Sequence, residues 1–122
     1  MAFAAGLSEL GTFPDKSKID ALCMIAEDAR GSPTAVANVC SELLSKLGSV
    51  DPSRKLALLY TLDYISKKLG AEFQAGFATH LAHAFLAAYP LVPSASRSKL
   101  RGLVQTWREQ GLFAAALPQI EM

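Results

Sequence analysis

Residues 56–70 read LALLYTLDYISKKLG, a segment with helical periodicity and two opposed stripes of side chains. At about 100° per residue, one stripe has the spacing of a buried core face. This stripe consists of Leu58, Leu62, Ile65 and Leu69. The opposite stripe consists of Leu56, Tyr60, Asp63 and Lys67. A surface helix is polar on the side away from the core, so the pattern indicates a central helix with two occupied sides.

Two interpretations of the second stripe are open from the helix alone. A single carboxylate, Asp63, lies between an aromatic and an aliphatic side chain, an arrangement typical of one wall of a binding groove. Alternatively, the helix packs on both sides, and Asp63 pairs with Lys67 at a spacing of i, i+4.

Length and composition predict one globular domain that spans residues 1–122. The chain is 51% hydrophobic and 19% charged, which excludes a disordered tail. Its net charge of +1 provides no general attraction to nucleic acid or to an anionic membrane. We therefore expect neither direct nucleic-acid binding nor membrane binding from this domain.

The first residues, MAFAAGLSELG, lack a basic start and contain Glu9, so no signal peptide is predicted. No run approaches the roughly 20 apolar residues that a membrane-spanning helix needs. Cys23 and Cys40 lie in apolar helical patterns, which favours buried thiols in a reducing compartment. The sequence predicts a soluble, intracellular protein.

Frequent helix start and stop signals predict an all-α fold of about seven or eight helices. Asp15, Ser32-Pro33 and Asp51-Pro52 are typical starts, and glycines mark several ends. The predicted helices cover approximately 3–10, 15–30, 32–48, 51–70, 72–89, 96–111 and part of 112–120. The sequence does not decide whether the fifth helix is interrupted near Gly76. Because the connections are short, successive helices should be antiparallel neighbours.

Catalytic patterns are not evident in the sequence. His80 and His83 have helical spacing, but a metal site needs a third or fourth ligand. Neither cysteine has basic neighbours that would activate its thiol. Phosphate-binding loops, nucleophile elbows and zinc-protease motifs are missing. We therefore predict a protein that is not an enzyme, with no catalytic residues, metal site or cofactor.

Basic residues lie on two flanks of the late helix. One flank contains Arg97, Arg101 and Arg108, and the other contains Lys99 together with Gly102 and Thr106. The arginine flank is predicted to face solvent, with phosphate contact as an alternative. Lys16 and Lys18, at the start of the second helix, could hold an anion with free backbone N–H groups or could simply be solvated.

Three segments together resemble the CTD-interacting domain, also called the RPR domain. They are TFPDKSKI (12–19), LLYTLDYISKKLG (58–70) and RSKLRGLVQTWREQGLF (97–113). The most specific parts are Tyr-x-x-Asp at 60–63 and KLxxLVxxWRExGLF at 99–113, and the resemblance covers residues 3 to about 120.

The resemblance implies a right-handed superhelix of about eight α-helices, similar to VHS and ENTH domains. It also implies a nuclear, non-catalytic module of transcription termination or RNA 3′-end processing factors. Such modules bind the repetitive C-terminal tail of the RNA polymerase II largest subunit. The consensus heptad of that tail is Tyr-Ser-Pro-Thr-Ser-Pro-Ser, bound as a β-turn and often phosphorylated.

Four of the predicted site residues follow from the resemblance position by position. Asp63 matches the carboxylate that accepts hydrogen bonds from the turn, and Tyr60 matches the aromatic that shapes the pocket for the heptad tyrosine. Lys99 matches a basic groove position, and Lys18 matches a loop residue that contacts phosphate in some members. The full predicted peptide-binding set is Tyr60, Asp63, Lys67 and Thr106, and the predicted phosphate-binding set is Lys18, Lys99 and Arg101.

One position departs from the family pattern. Several members have an arginine that makes a bidentate contact with a heptad phosphoserine, at the position where this chain has Gly102. Arg101 points about 100° away on a helix, so it is a poor substitute. The loss of a bidentate charged contact forfeits about 1.5–3 kcal/mol of potential affinity, and we expect weak phosphate selectivity.

Adaptor domains of the VHS and ENTH type are the alternative, since they share this architecture and bind sorting motifs, ubiquitin or lipid headgroups. Tyr60, Asp63 and the segment at 97–113 favour the polymerase-tail family. Lipid binding would call for a denser basic cluster than Lys16 and Lys18. We also expect Asp63 to be dispensable for folding, and Trp107 to lie in the core.

Overall fold

Seven α-helices form the regular structure of residues 2–120, the part of the chain that the computed structural model describes. They are α1 (Ala2–Glu9), α2 (Lys16–Glu27), α3 (Pro33–Ser49), α4 (Lys55–Leu69), α5 (Ala71–Ala88), α6 (Ser94–Gln110) and α7 (Leu117–Ile120). Single 3₁₀ turns cover Pro52–Arg54 and Tyr89–Leu91, and residues 2–120 contain no strand. The predicted all-α fold is confirmed, while residues 1 and 121–122 of the predicted domain lie outside the described range.

Side-chain caps start α2 and α3 as predicted. Asp15 Oδ1 accepts the N–H groups of Ser17 at 2.9 Å and Lys18 at 3.3 Å. Ser32 Oγ accepts the N–H of Ala35 at 3.3 Å, with proline at the first helical position. These caps satisfy N–H groups that have no partner within their own helix.

The predicted start of α4 is wrong by several residues. The Asp51 side chain makes no capping hydrogen bond, and Pro52–Arg54 form a 3₁₀ turn, so the α-helix begins only at Lys55. Such turns commonly precede α-helices, because i, i+3 bonds tighten the first turn. Tertiary contacts of Arg54 and Lys55, rather than a local cap, hold this helix start.

Those two cations bind the ends of two earlier helices. Arg54 Nε donates to the Leu10 carbonyl at 2.9 Å, and a terminal guanidinium nitrogen donates to the Ser8 carbonyl at 3.0 Å. Lys55 is only 4% exposed, and its ammonium donates to the Leu47 carbonyl at 2.6 Å. Carbonyls at a helix C-terminus lack intrahelical partners and carry partial negative charge. The start of α4 therefore anchors the ends of α1 and α3.

Helix α4 packs against α2, α3, α5 and α6, and most of both its stripes is inside the domain. Leu56 and Asp63, on the stripe opposite the core seam, are buried. Tyr60 is half-buried and Lys67 is exposed. The interpretation of a helix packed on both sides is therefore correct for most of its length, and the accessible residues of this stripe are Tyr60 and Lys67.

The predicted apolar face of α6 lies in the core of the domain. Its buried residues are Leu100, Leu103, Val104 and Trp107. The Trp107 ring is fully buried, with edge contacts to Phe85 (centroids 6.2 Å apart) and Phe113 (5.1 Å apart). The predicted orientation of this helix and the core position of Trp107 are confirmed.

Helix α5 runs without interruption through Gly76, where it packs against Cys40 of α3. A Cβ atom on Gly76 would lie 2.6 Å from the Cys40 Sγ. The thiol faces the Phe73 carbonyl at 3.9 Å, and burial raises the pKa of Cys40 to about 12. The glycine therefore permits close helix approach rather than a helix break.

We expect Gly76→Ala to lower the free energy of unfolding by about 1–3 kcal/mol, because the new methyl group overpacks the α3–α5 contact. In a Cys40→Ala background the same change should cost little, since the nearest remaining Cys40 atom, Cβ, is 3.5 Å away. Urea denaturation of the wild type, the two single variants and the double variant measures this coupling. Gly48→Ala is the control, because a Cβ there meets nothing within 4 Å. Equal costs of Gly76→Ala in both backgrounds would contradict the proposed clash.

Within residues 2–120, no helix is both long and apolar enough to cross a membrane. The same residues contain no group of three or more His, Cys, Asp or Glu side chains placed to hold a metal ion.

Candidate functional site

A small groove lies between the start of α2 and the middle of α4, and its volume is about 310 Å³. We call it the α2–α4 groove. Its lining residues are Pro14, Lys16, Ile19, Tyr60, Asp63 and Tyr64. The lining combines apolar side chains and two tyrosine rings with a single carboxylate. It can accept an apolar or aromatic side chain together with a hydrogen-bond donor.

Asp63 is only 8% exposed and is held by donors from two helices. Its Oδ1 accepts the indole N–H of Trp107 at 2.8 Å. The ammonium of Lys67 lies 3.0 Å from Oδ1 and 3.1 Å from Oδ2. A carboxylate has about four acceptor positions, so these contacts leave capacity on the side that lines the groove.

These contacts do not fit the expectation that Asp63 is dispensable for folding. That expectation rested on the position of Asp63 on the stripe opposite the core seam. The structure instead makes Asp63 the hydrogen-bond acceptor for the buried indole of Trp107. Loss of the carboxylate would leave that N–H unsatisfied in the core, which costs stability.

Tyr60 contributes an aromatic wall next to this carboxylate. It is half-buried and packs against the core of the domain. Burial and, second, the negative charge of Asp63 raise the pKa of the Tyr60 phenol. The hydroxyl is therefore neutral at physiological pH and can donate a hydrogen bond to a ligand.

Tyr64 forms the second aromatic wall, one helical turn further along α4. The ammonium of Lys16 lies 5.5 Å from its ring centroid and 3.2 Å from Asp20 Oδ2. A hydrogen bond with Tyr64, followed by one with Lys16, lowers the pKa of Asp20. Lys16, Asp20 and Tyr64 thus form one small polar cluster at the rim of the groove.

The suggested anion site at the start of α2 is already occupied by the protein itself. Asp15 accepts the backbone N–H groups of Ser17 and Lys18. Lys16 pairs with Asp20, and the Lys18 ammonium donates to the Glu9 carbonyl at 3.2 Å. These contacts favour the interpretation of ordinary helix-start lysines.

The remaining predicted site residues lie on α6. Lys99 is exposed and has no hydrogen-bond or ion-pair partner within residues 2–120. Thr106 is half-buried and donates to the Gly102 carbonyl at 3.0 Å. Neither residue is part of the groove lining, although α6 adjoins the groove through the Trp107–Asp63 hydrogen bond.

Arg101 belongs to a different region of the surface. Its guanidinium donates to the Tyr89 hydroxyl at 2.6 Å and to Ser98 Oγ at 3.0 Å. It lines a separate cavity of about 520 Å³, which Phe85 and Ile120 also line. The structure therefore brings together Tyr60, Asp63 and Lys67, and it places Arg101 outside the α2–α4 groove.

Sequence reasoning missed Tyr64 and Ile19 as groove residues, and it missed the contact between Trp107 and Asp63. Tyr64 is four residues after Tyr60, so helical periodicity alone places both on one side of α4. No sequence pattern indicates a hydrogen bond between side chains 44 residues apart.

The all-α fold and this groove define a helical protein-interaction module. The model of the CID domain family matches residues 1–119, so the chain belongs to the family of CTD-interacting domains. This result confirms the resemblance. Modules of this family are generally non-catalytic, and they occur in nuclear factors for transcription termination and RNA 3′-end processing.

Two similar proteins support the assignment. The uncharacterized protein C4G9.04c of Schizosaccharomyces pombe is 34% identical over 118 residues. The match includes 97% of this chain but only 18% of that protein, so the chain spans about a fifth of its relative. The crystal structure of the RPR domain of Pcf11 superimposes with a TM-score of 0.85 at 27% identity, covering 98% of this chain and 92% of that one.

Proposed function

We propose that this domain binds the C-terminal repeat tail of the RNA polymerase II largest subunit in the α2–α4 groove. It acts as a non-catalytic nuclear module that links transcription to termination or RNA 3′-end processing. The observation that carries the proposal is the pair of Tyr60 and Asp63 at the groove, with Asp63 fixed by Trp107 and Lys67.

The groove has the chemistry that a β-turn requires. A turn presents backbone N–H groups, and the Asp63 carboxylate can accept them as charge-assisted hydrogen bonds. Ile19 and the rings of Tyr60 and Tyr64 offer apolar surface to an aromatic or proline side chain. A ligand rich in tyrosine, proline and turn residues therefore suits this site.

Fluorescence anisotropy with labelled two-heptad peptides tests the proposal. We expect saturable binding of the heptad peptide and none of a scrambled peptide with the same composition. Vesicles that carry phosphoinositide headgroups test the adaptor alternative, and we expect no sedimentation of the domain with them. Equal binding of both peptides, or binding to vesicles alone, would refute the proposed function.

Phosphorylated heptads should bind no more than about tenfold tighter than unphosphorylated ones, and the gain should fall with salt. Gly102 provides no forked contact, and the matched cations Lys18 and Lys99 are flexible point charges. Titrations of unphosphorylated, singly and doubly phosphorylated peptides measure the difference.

Gly102→Arg should increase the preference for a phosphoserine at the second heptad position. A Cβ on Gly102 meets nothing within 4 Å, so the helix can accept the change. Gly48→Arg, equally unobstructed but on α3, controls for added charge. A wild-type preference of a hundredfold or more would show that Arg101 or another residue reads the phosphate.

A further inference from the structure

Two donors of different kinds hold the carboxylate at the centre of the groove. The indole N–H of Trp107 reaches Asp63 Oδ1 from α6 at 2.8 Å, and the Lys67 ammonium contacts both oxygens from within α4. The groove lies on a remaining side of Asp63. The direction of the free acceptor positions therefore depends on these two donors.

The two donors differ in rigidity. Trp107 is fully buried, and its ring is fixed between Phe85 and Phe113. The Lys67 side chain is 35% exposed and has several rotatable bonds. The core of the domain thus fixes the position of the indole N–H, whereas the ammonium can follow the carboxylate or leave it.

A fixed acceptor helps binding because the ligand does not have to order it. Immobilisation of side chains is one of the costs of association, and preorganised groups reduce that cost. The low-dielectric surroundings of a nearly buried carboxylate also strengthen the hydrogen bonds that it accepts.

We infer that Trp107 is a positioning residue for peptide binding, an inference that rests on the proposed function. Its indole N–H orients the Asp63 carboxylate, so that a free acceptor position points at the N–H groups of a peptide turn. Trp107 itself does not touch the ligand. Lys67 balances the charge of Asp63 and, because its side chain is flexible, constrains the orientation of the carboxylate less than Trp107 does.

Trp107→Phe keeps an aromatic ring in the core but removes the indole N–H together with part of the buried ring, so its packing loss needs a matched control. We expect this variant to fold and to bind the two-heptad peptide about fivefold or more weakly, a loss of about 1 kcal/mol or more. In an Asp63→Ala background the substitution should have no further effect on affinity. Lys67→Met should weaken binding less than Trp107→Phe does, because the flexible ammonium constrains Asp63 less than the buried indole.

Phe73→Leu is the matched control, because it trims another fully buried aromatic residue with no ring contact to Trp107. It should lower stability but leave peptide affinity unchanged. All affinities are measured below the start of each variant's thermal transition. A merely structural role for Trp107 predicts equal affinities for Trp107→Phe and Phe73→Leu.

Nuclear magnetic resonance gives a second readout, because the chain has one tryptophan and therefore one indole N–H signal. Addition of peptide should shift this signal, since the ligand and the indole share one carboxylate. Wild-type binding with an unmoved signal and an unaffected Trp107→Phe variant would overturn this inference alone. Failure of the wild-type domain to bind the peptide would overturn the proposed function as well.

Discussion

Replacement of Trp107 with alanine is expected to lower the free energy of unfolding by about 3–5 kcal/mol. The side chain is fully buried, and it makes edge contacts with two aromatic rings. Its removal leaves a cavity between α5 and α6 and takes away the donor that binds Asp63. Urea denaturation followed by far-ultraviolet circular dichroism measures the change.

Leu91→Ala is the control, since Leu91 is a large apolar residue that is 57% exposed. It should change stability by less than about 0.5 kcal/mol. The native wild-type protein should also show blue-shifted tryptophan emission, as expected of a buried indole. Solvent-like emission, or a small cost of Trp107→Ala, would contradict the orientation of α6.

Asp63→Ala is expected to impair both peptide binding and stability. The peptide loses its acceptor, which should weaken binding by about 1–3 kcal/mol, or about 5- to 150-fold. The folded domain loses the partner of a buried indole N–H, which should lower the free energy of unfolding by a similar amount. Anisotropy titration and urea denaturation of the same preparation measure the two effects.

Asp51→Ala controls for the loss of a carboxylate, because Asp51 is exposed and makes no capping bond. It should leave both quantities nearly unchanged. Normal peptide binding by Asp63→Ala would show that the groove assignment is wrong. Unchanged stability would show that the hydrogen bond from Trp107 contributes little to the fold.

The helices were predictable because the signals that set them are local. Asp15 and Ser32 cap α2 and α3 as their positions in the sequence indicate. The start of α4 was not predictable, since Arg54 and Lys55 bind carbonyl groups at the ends of other helices. Local capping rules contain no information about such contacts.

The candidate site was predictable only in part, for a similar reason. Periodicity and family resemblance identified Tyr60 and Asp63, and the structure places both at one groove. Periodicity describes which way a side chain points, but not which atoms it meets. It therefore assigned Trp107 to the core and Asp63 to the groove without revealing that the two are hydrogen-bonded.

The contacts of Arg54 and Lys55 with two earlier helices also affect how cooperatively the domain opens. Arg54 donates hydrogen bonds to carbonyl groups at the end of α1, and its neighbour Lys55 donates to one at the end of α3. Local opening of either early helix would leave one of these cations without its carbonyl partner, and Lys55 is buried. Native-state openings should therefore involve α1, α3 and the first turn of α4 as one unit, which hydrogen exchange would detect as shared protection of their amides. The first helix is thus part of the domain's stable framework rather than a peripheral extension of it.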